Sequence, residues 1–325
     1  MRDEEGKLAS IGDRLLLIKK YLFPLLSLVI FVVFAIALGQ KLQEYSWSEL
    51  VASVRAIPMN RVRLAMLLTV LGYFVIAHYD KIAFAAAGYS LANRKILTTT
   101  FLSYAICNNL GFMLLIGGGI RYYFYHSYGV PRSVIATAIA FSNLNFWLGL
   151  FALGGVVFSF SFLEIPEILL EVLRGDFVTA RPLGYLFLTT ICIYLYLSWQ
   201  QITIRFRQQS WALPPLEISL AQISLSALDW AISSGILYLL LPEQNQLNYA
   251  NFFGVYLLAI AARTISNVPG GLGVFETTII AFLPGNLSES DIFAALIAYR
   301  GIYFLLPLLT ALILFGISEL SKKNR

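Results

Sequence analysis

Six ionisable residues interrupt stretches that are otherwise almost wholly apolar: Asp80, Arg121, Asp229, Arg263, Glu276 and Arg300. Asp80 falls late in one apolar run, Asp229 in the middle of "SALDWAISS", and Arg300 inside the last run. Arg121 follows three consecutive glycines, while Arg263 and Glu276 flank "SNVPGGLGV". A charge at membrane depth is costly, so it marks either a functional site or a buried partner. An arginine grips phosphate through two parallel N–H donors. A carboxylate in the same setting suits an ammonium group or a proton. Burial raises a carboxylate's proton affinity, which makes Glu276 a candidate switch.

The charges gather around two broken stretches. "CNNLGFMLLIGGG" holds Asn108, Asn109 and Gly111, and "NVPGGLG" holds Asn267, Pro269, Gly270 and Gly271. Non-helical backbone at membrane depth leaves N–H and C=O groups that must face protein, water or a ligand. Half-helix N-termini carry partial positive charge and offer N–H groups to anions such as phosphate. Gly-rich turns let a headgroup approach the backbone closely. Interrupted segments in corresponding halves of a chain are the sequence pointer to a transport site. These thirteen residues form the candidate substrate- and lipid-binding set, with Arg121 and the broken-helix N–H groups on phosphate and Asp80 or Glu276 on a cationic headgroup or coupling proton.

Each has a structural alternative. Asp80 pairs with the adjacent Lys81 near the interface, or Arg121 is a positive-inside anchor. Glu276 caps the return helix, Asp229 and Arg300 form a buried pair, or Arg263 merely neutralises Glu276. The aromatic run "RYYFYHSY", 121–128, reads as an interfacial belt rather than a ligand cage.

Other chemistries find little support. No nucleophile is accompanied by a matching His and acid, and His78 and His126 are the only histidines. Gly117-Gly118-Gly119 lacks the Lys and Ser/Thr of a phosphate-binding loop. Cys107 and Cys192 fit no metal spacing and read as buried thiols. No metal and no cofactor are expected.

The elements that must position these residues follow from composition. The chain has 325 residues, 58% hydrophobic and 13% charged, with mean hydropathy +0.75. Soluble domains carry about 25% charged residues, and several runs here reach the roughly 20 apolar residues that cross a bilayer. The net charge of +5 belongs to loops and lipid head groups, so nucleic acid is not an expected partner. Apolar segments fall at about 22–39, 62–87, 97–116, 133–163, 183–199, 216–241, 250–283 and 291–317. They are too long for strands and lack the alternation of a membrane barrel. Residues 43–60 read as a short amphipathic helix, lying either at the interface or packed on the bundle.

Lys and Arg vote for the cytoplasmic side at the N-terminus, Arg94-Lys95, Arg121 with Arg132, Arg205 with Arg207, and Lys322-Lys323. The acidic loop 164–176, and loops 242–249 and 284–291 without Lys or Arg, vote for the outside. Both ends of 97–116 therefore point inside and both ends of 250–283 outside. Each segment satisfies this by turning back at its Gly-rich break. The second return limb, residues 272–283, gives only about 18 Å of helix against a core of about 30 Å. The sequence thus predicts an all-α, polytopic integral membrane helical bundle with about six full spans plus two re-entrant broken-helix hairpins, one from each face. The expected organisation is a cytoplasmic N-terminal segment (1–21), a single transmembrane domain (22–317) and a cytoplasmic tail (318–325). Lys41, Arg55 and Arg61 in the outside loop 40–61 are discordant with this topology.

Three stretches carry a resemblance: residues 78–130 with "NNLGFMLLIGGGIRYYFY", residues 227–242 with "ALDWAISSGILYLLLP", and "NVPGGLGVFE". Over roughly 60–317 the chain resembles the membrane domain of the lysylphosphatidylglycerol synthase/flippase (MprF) family and its stand-alone YbhN-like relatives. The resemblance implies lipid handling in a bacterial plasma (inner) membrane. In two-domain members this part moves aminoacylated phosphatidylglycerol between leaflets, and a cytosolic domain makes that lipid from aminoacyl-tRNA. Nothing after residue 317 has room for a transferase, so the chain is expected to transport lipid rather than synthesise it. Asp80, Arg121 and Glu276 match polar positions of the family motifs. The expected function is a lipid flippase or phospholipid transporter for an anionic or aminoacylated phospholipid. Two rivals stand beside it: a non-transporting scaffold for a separate lipid synthase or glycosyltransferase, and an enzyme acting on lipid-linked substrates. A homo-oligomer is compatible with all three.

Overall fold

The structure, a computed structural model, describes residues 47–111, 113–160, 181–206, 209–243, 247–266, 268–283 and 287–323. The predicted N-terminal segment, first span (22–39) and acidic loop (164–176) lie outside the described residues. Five described stretches are long and apolar enough to cross a membrane: Met59–Ala86, Arg132–Phe160, Arg181–Trp199, Leu216–Leu240 and Glu289–Ile317. They correspond to the predicted full spans other than the first. The chain is a helical membrane bundle.

The order is α1 (Trp47–Ala56), α2 (Met59–Ala77), α3 (Tyr79–Ala86), α4 (Asn93–Leu110), a π-helical turn (Met113–Gly117), α5 (Gly118–Ser127), α6 (Arg132–Phe160) and α7 (Arg181–Trp199). A short antiparallel pair, β1 (Thr203–Phe206) and β2 (Gln209–Ala212), follows, with Thr203 opposite Ala212. Then come α8 (Leu216–Leu240), α9 (Tyr249–Ser266), a 3₁₀ turn (Pro269–Gly271), α10 (Val274–Phe282), α11 (Glu289–Tyr299), a second π-helical turn (Arg300–Leu305) and α12 (Leu306–Lys323). Leu67, Val70 and Phe74 on α2, and Leu186 and Ile193 on α7, are exposed. This pattern suits a bundle bathed in hydrocarbon rather than water. Cys192 corrects the reading of two buried thiols: it lies exposed on α7, whereas Cys107 is buried. An apolar segment in a membrane has a lipid-facing side that hydropathy does not distinguish from its packed side.

Small residues let the spans approach closely. A Cβ on Gly149 would stand 2.8 Å from the Ser226 backbone, which brings α6 against α8. Polar side chains tie the same crossing. Gln222 donates to Asn145 Oδ1 at 2.8 Å, Trp230 Nε1 to the Phe146 carbonyl at 3.2 Å, and Ser226 to the Asn145 carbonyl.

Both broken segments fold as hairpins. In the first, Ser103 donates to the Gly117 carbonyl at 2.8 Å, and Thr100 meets Tyr125 at 3.4 Å, so α5 runs back antiparallel along α4. In the second, Phe275 of α10 packs edge-on against Tyr256 of α9 at 5.6 Å. The α10 limb has 9 residues, about 14 Å of helix, far short of a crossing. The hairpins start from opposite ends of the bundle. The base of the first clusters with Val130, Ile135 and Ala83, and Phe124 meets Phe315 near the chain's end. The base of the second packs Tyr249 and Phe252 on Tyr238 of α8. Arg61 donates to the Leu241 carbonyl at 2.9 Å and pairs with Glu243 at that same end. This gives the discordant basic residue a local structural task. Helix α1 packs on α11, with Val51, Val54 and Ile57 partly buried, in keeping with the packed alternative.

Candidate functional site

The two hairpin tips meet in the middle of the bundle. Helix α4 ends at Gly111, whose φ of 80° and ψ of −164° suit a residue without a Cβ. The turn after α9 carries Gly270 at φ 64°, and a Cβ there would stand 2.6 Å from the Asn109 carbonyl oxygen. Asn109 Nδ2 donates to the carbonyls of Ala105 (2.9 Å) and Phe304 (3.1 Å), which fixes the first tip against the second π-helical turn. Arg263, in the last turn of α9, donates from Nη2 to the Asn108 carbonyl at 2.8 Å. Its guanidinium lies 5.3 Å from the centre of the Phe304 ring.

Beside the tips is a cavity of about 390 Å³, within the range of small-ligand sites. Its polar wall includes Asn108, Gly111, Asp229, Arg263, Gly270 and Gly271, with Asn143 and Ser233. Its aromatic wall includes Tyr79, Tyr104, Phe146, Trp147, Trp230, Tyr256, Tyr303 and Phe304. Tyr79 donates to Asp229 Oδ2 at 2.9 Å. Asp229 Oδ1 and the Tyr104 hydroxyl have no hydrogen-bond partner among the described residues. Arg263 and Asp229 share the cavity, yet no ion pair joins them to each other or to any other described residue. Both first limbs, α4 and α9, end here, so two helix C-termini bring partial negative charge to the tips, and Arg263 sits where a cation counters both.

The remaining charges form two pairs that do not line the cavity but abut its wall, Arg121 over the Tyr104 ring at 5.0 Å and Arg300 over the Phe304 ring at 5.7 Å. Arg121 Nε donates to both Asp80 oxygens, at 3.1 and 2.9 Å. Tyr125 (2.6 Å) and Ser142 (3.0 Å) donate to the same carboxylate. Arg121 Nη1 donates to Ser103 at 2.7 Å, while Nη2 is unpartnered among the described residues. This pair ties α3, both limbs of the first hairpin, and α6. Glu276 accepts the Gly273 N–H at 2.9 Å on Oε2 and Arg300 Nε on Oε1. This second pair ties the return limb α10 to the last span.

The pairings differ from those considered from sequence. Asp80 pairs with Arg121 and not Lys81; Glu276 pairs with Arg300 and not Arg263; Asp229 and Arg300 are not partners. In each case the deciding contact joins elements remote in sequence. At the start of α10 Glu276 folds back as the N3 residue and accepts the Gly273 N–H. Arg121, placed on phosphate from sequence, is buried and committed to Asp80 and Ser103. In the aromatic run, Tyr122 and Tyr123 are exposed while Tyr125 is buried on Asp80. Asn267 lies outside the described residues, and Pro269 opens the 3₁₀ turn. The aromatic wall was not foreseen. Tyr79 and Trp230 had a signal, since each adjoins a charge already singled out; the others look like ordinary apolar-helix aromatics.

The profile of a protein family described as the lysylphosphatidylglycerol synthase TM region matches residues 24–311. The chain belongs to this family. Proteins similar to it include the Synechocystis protein slr0712, 41% identical over 298 residues, covering 91% of each chain. The inner membrane protein YbhN of Escherichia coli is 33% identical over 312 residues, covering 94% of this chain and 92% of YbhN. A phosphatidylglycerol lysyltransferase of Staphylococcus xylosus is 26% identical over 296 residues. That match covers 89% of this chain and 33% of the transferase, so the chain spans about a third of that relative.

Proposed function

We propose that the protein is a phospholipid transporter of the bacterial plasma membrane, moving an anionic or aminoacylated lipid between leaflets through the cavity at the hairpin tips. The observation that carries this reading is one cation and one anion, Arg263 and Asp229, unpaired in a cavity built from broken helices. Phosphate goes to Arg263, whose guanidinium has donors beyond the single one given to Asn108. A cationic part of the headgroup goes to Asp229. The Asp80–Arg121 and Glu276–Arg300 pairs hold the two hairpins in place rather than touching lipid. Leu114, Leu115 and Trp147 line the cavity yet are largely exposed on the bundle surface. Acyl chains can therefore stay in the bilayer while the headgroup enters sideways. Membership of this membrane family, and similarity to about a third of a phosphatidylglycerol lysyltransferase, support lipid as the cargo class.

The test is a leaflet-exposure assay in reconstituted vesicles. Arg263→Ala is expected to slow transport at least about tenfold, because a charge-assisted phosphate contact is worth roughly 1.5–3 kcal/mol. Arg263→Lys is expected to retain part of the rate, and Arg55→Ala on exposed α1 all of it. An unchanged rate in Arg263→Ala, at matched insertion, would sink the assignment and favour a non-transporting accessory to a separate synthase.

A further inference from the structure

Asp229 is the carboxylate whose charge nothing nearby answers. One oxygen accepts from Tyr79, and the other, shielded from solvent, has no partner among the described residues. The groups facing it from the surrounding elements are phenols: Tyr73 of α2, Tyr79 of α3, Tyr104 of α4, Tyr256 of α9 and Tyr303 of the second π-helical turn. Cys107 and Arg263 also line the cavity, but Arg263 makes no ion pair with Asp229 and is engaged at the Asn108 carbonyl. An ionised carboxylate in such a place, with no cation and an unfilled lone pair, is strongly disfavoured. A proton neutralises it, and Oδ1, the oxygen without a partner among the described residues, is the one to carry it.

The same place is built to accept a different cation. Trp230 and Tyr256 line the same cavity as Asp229, and so does Tyr104, whose ring also carries the Arg121 guanidinium 5.0 Å from its centre. Aromatic faces around an acid form a standard recognition geometry for ammonium groups, which trade hydration for cation–π contacts. We propose that Asp229 is a proton-for-ammonium exchange site: the ammonium of an amine-bearing headgroup entering the cavity displaces the Asp229 proton. In that step the carboxyl O–H bond breaks and the proton leaves through cavity water to the bulk. The ammonium keeps its N–H bonds and becomes the counter-ion of the new carboxylate. With the phosphate on Arg263 and the ammonium on Asp229, each charge in the loaded cavity has a counter-ion, and unloading on the far side takes up a proton there. The inference rests on the headgroup reading above.

The experiment uses the full-length protein in detergent, weakly buffered with a pH indicator. The probes are lysophosphatidylethanolamine, which carries an amine, and lysophosphatidylglycerol, which does not. Binding is followed separately by intrinsic tryptophan fluorescence. The expected result is release of about one proton per bound amine-bearing lipid and none with the amine-free lipid. Asp229→Asn, nearly isosteric and still able to accept from Tyr79, is expected to bind without release. A difference infrared spectrum of the empty protein should contain a protonated-carboxyl band that Asp229→Asn lacks. Binding of the amine-bearing lipid without proton release, or absence of that band, would overturn the exchange while leaving the headgroup site standing. Failure of both probes to bind would overturn the headgroup reading and the exchange together.

Discussion

Replacing Asp80 with alanine is expected to destabilise the protein by about 3–5 kcal/mol, the cost of leaving one member of a buried ion pair alone. Asp80 is fully buried and Arg121 is 1% exposed. The carboxylate accepts from Arg121, Tyr125 and Ser142, side chains borne on the return limb α5 and on α6. Without it, Arg121 keeps only Ser103 and the Gly117 carbonyl, at 2.7 and 3.4 Å. The charge stays buried and α5 loses its polar tie to α3, keeping the Phe84–Tyr125 ring contact. Arg121→Ala is expected to cost less, because Asp80 retains two hydroxyl donors. The double replacement Asp80→Asn with Arg121→Gln should recover much of the loss, since it removes both charges and keeps polar partners. Thermal unfolding in detergent, followed by monodispersity, reads all three. Equal midpoints for Asp80→Ala and the unaltered protein would contradict a structural role for the pair.

Gly270→Ala is the second large effect, and it should fall on the meeting of the tips. The added Cβ would stand 2.6 Å from the Asn109 carbonyl, in a backbone conformation with φ 64°. The left-handed conformation costs a non-glycine residue about 1–2 kcal/mol, and forcing an extra methyl into a packed contact about 1–3 kcal/mol more. The carbonyl cannot swing away cheaply, because the Asn109 side chain anchors its residue to Ala105 and Phe304. The expected outcome is separated tips, a lowered unfolding midpoint, and leaflet exchange reduced by more than the lost stability explains. Gly235→Ala in α8, where a Cβ meets nothing within 4 Å, is the control and should leave both readouts unchanged. If Gly270→Ala matches that control, the tips do not need their close approach.

The five described spans and both hairpins were legible in the sequence because they depend on local properties. Apolar length, loop charge and Gly-Pro breaks each act through the residues that carry them. The partner of each charge was not legible. Arg121 and Asp80 lie 41 residues apart, and Arg300 and Glu276 24. No helical spacing rule reaches that far; only the packing of whole hairpins against spans decides which faces meet. Glu276 illustrates the limit. Its position three residues after Gly273 suggested a cap, and it is one, yet Arg300 on its other oxygen needed the fold to be seen. The cavity was half legible. Asn108, Gly111, Asp229, Arg263, Gly270 and Gly271 line it as breaks and charges foretold. Its aromatic wall, drawn from helices remote in sequence, did not announce itself. Arg121 and Arg263 show the same lesson from the other side. Each is an arginine beside a glycine-rich turn, and their opposite fates follow from one having a carboxylate within reach.

On the proposed reading, a phospholipid headgroup sits between the hairpin tips on Arg263 and Asp229. Native mass spectrometry of the purified protein, with its co-purified lipid compared with bulk membrane lipid, tests it most directly. The expected result is selective enrichment of one amine-bearing or aminoacylated phospholipid, lost in Arg263→Ala and weakened in Asp229→Asn. Lipid of bulk composition, the same in the unaltered protein and both variants, would contradict the claim.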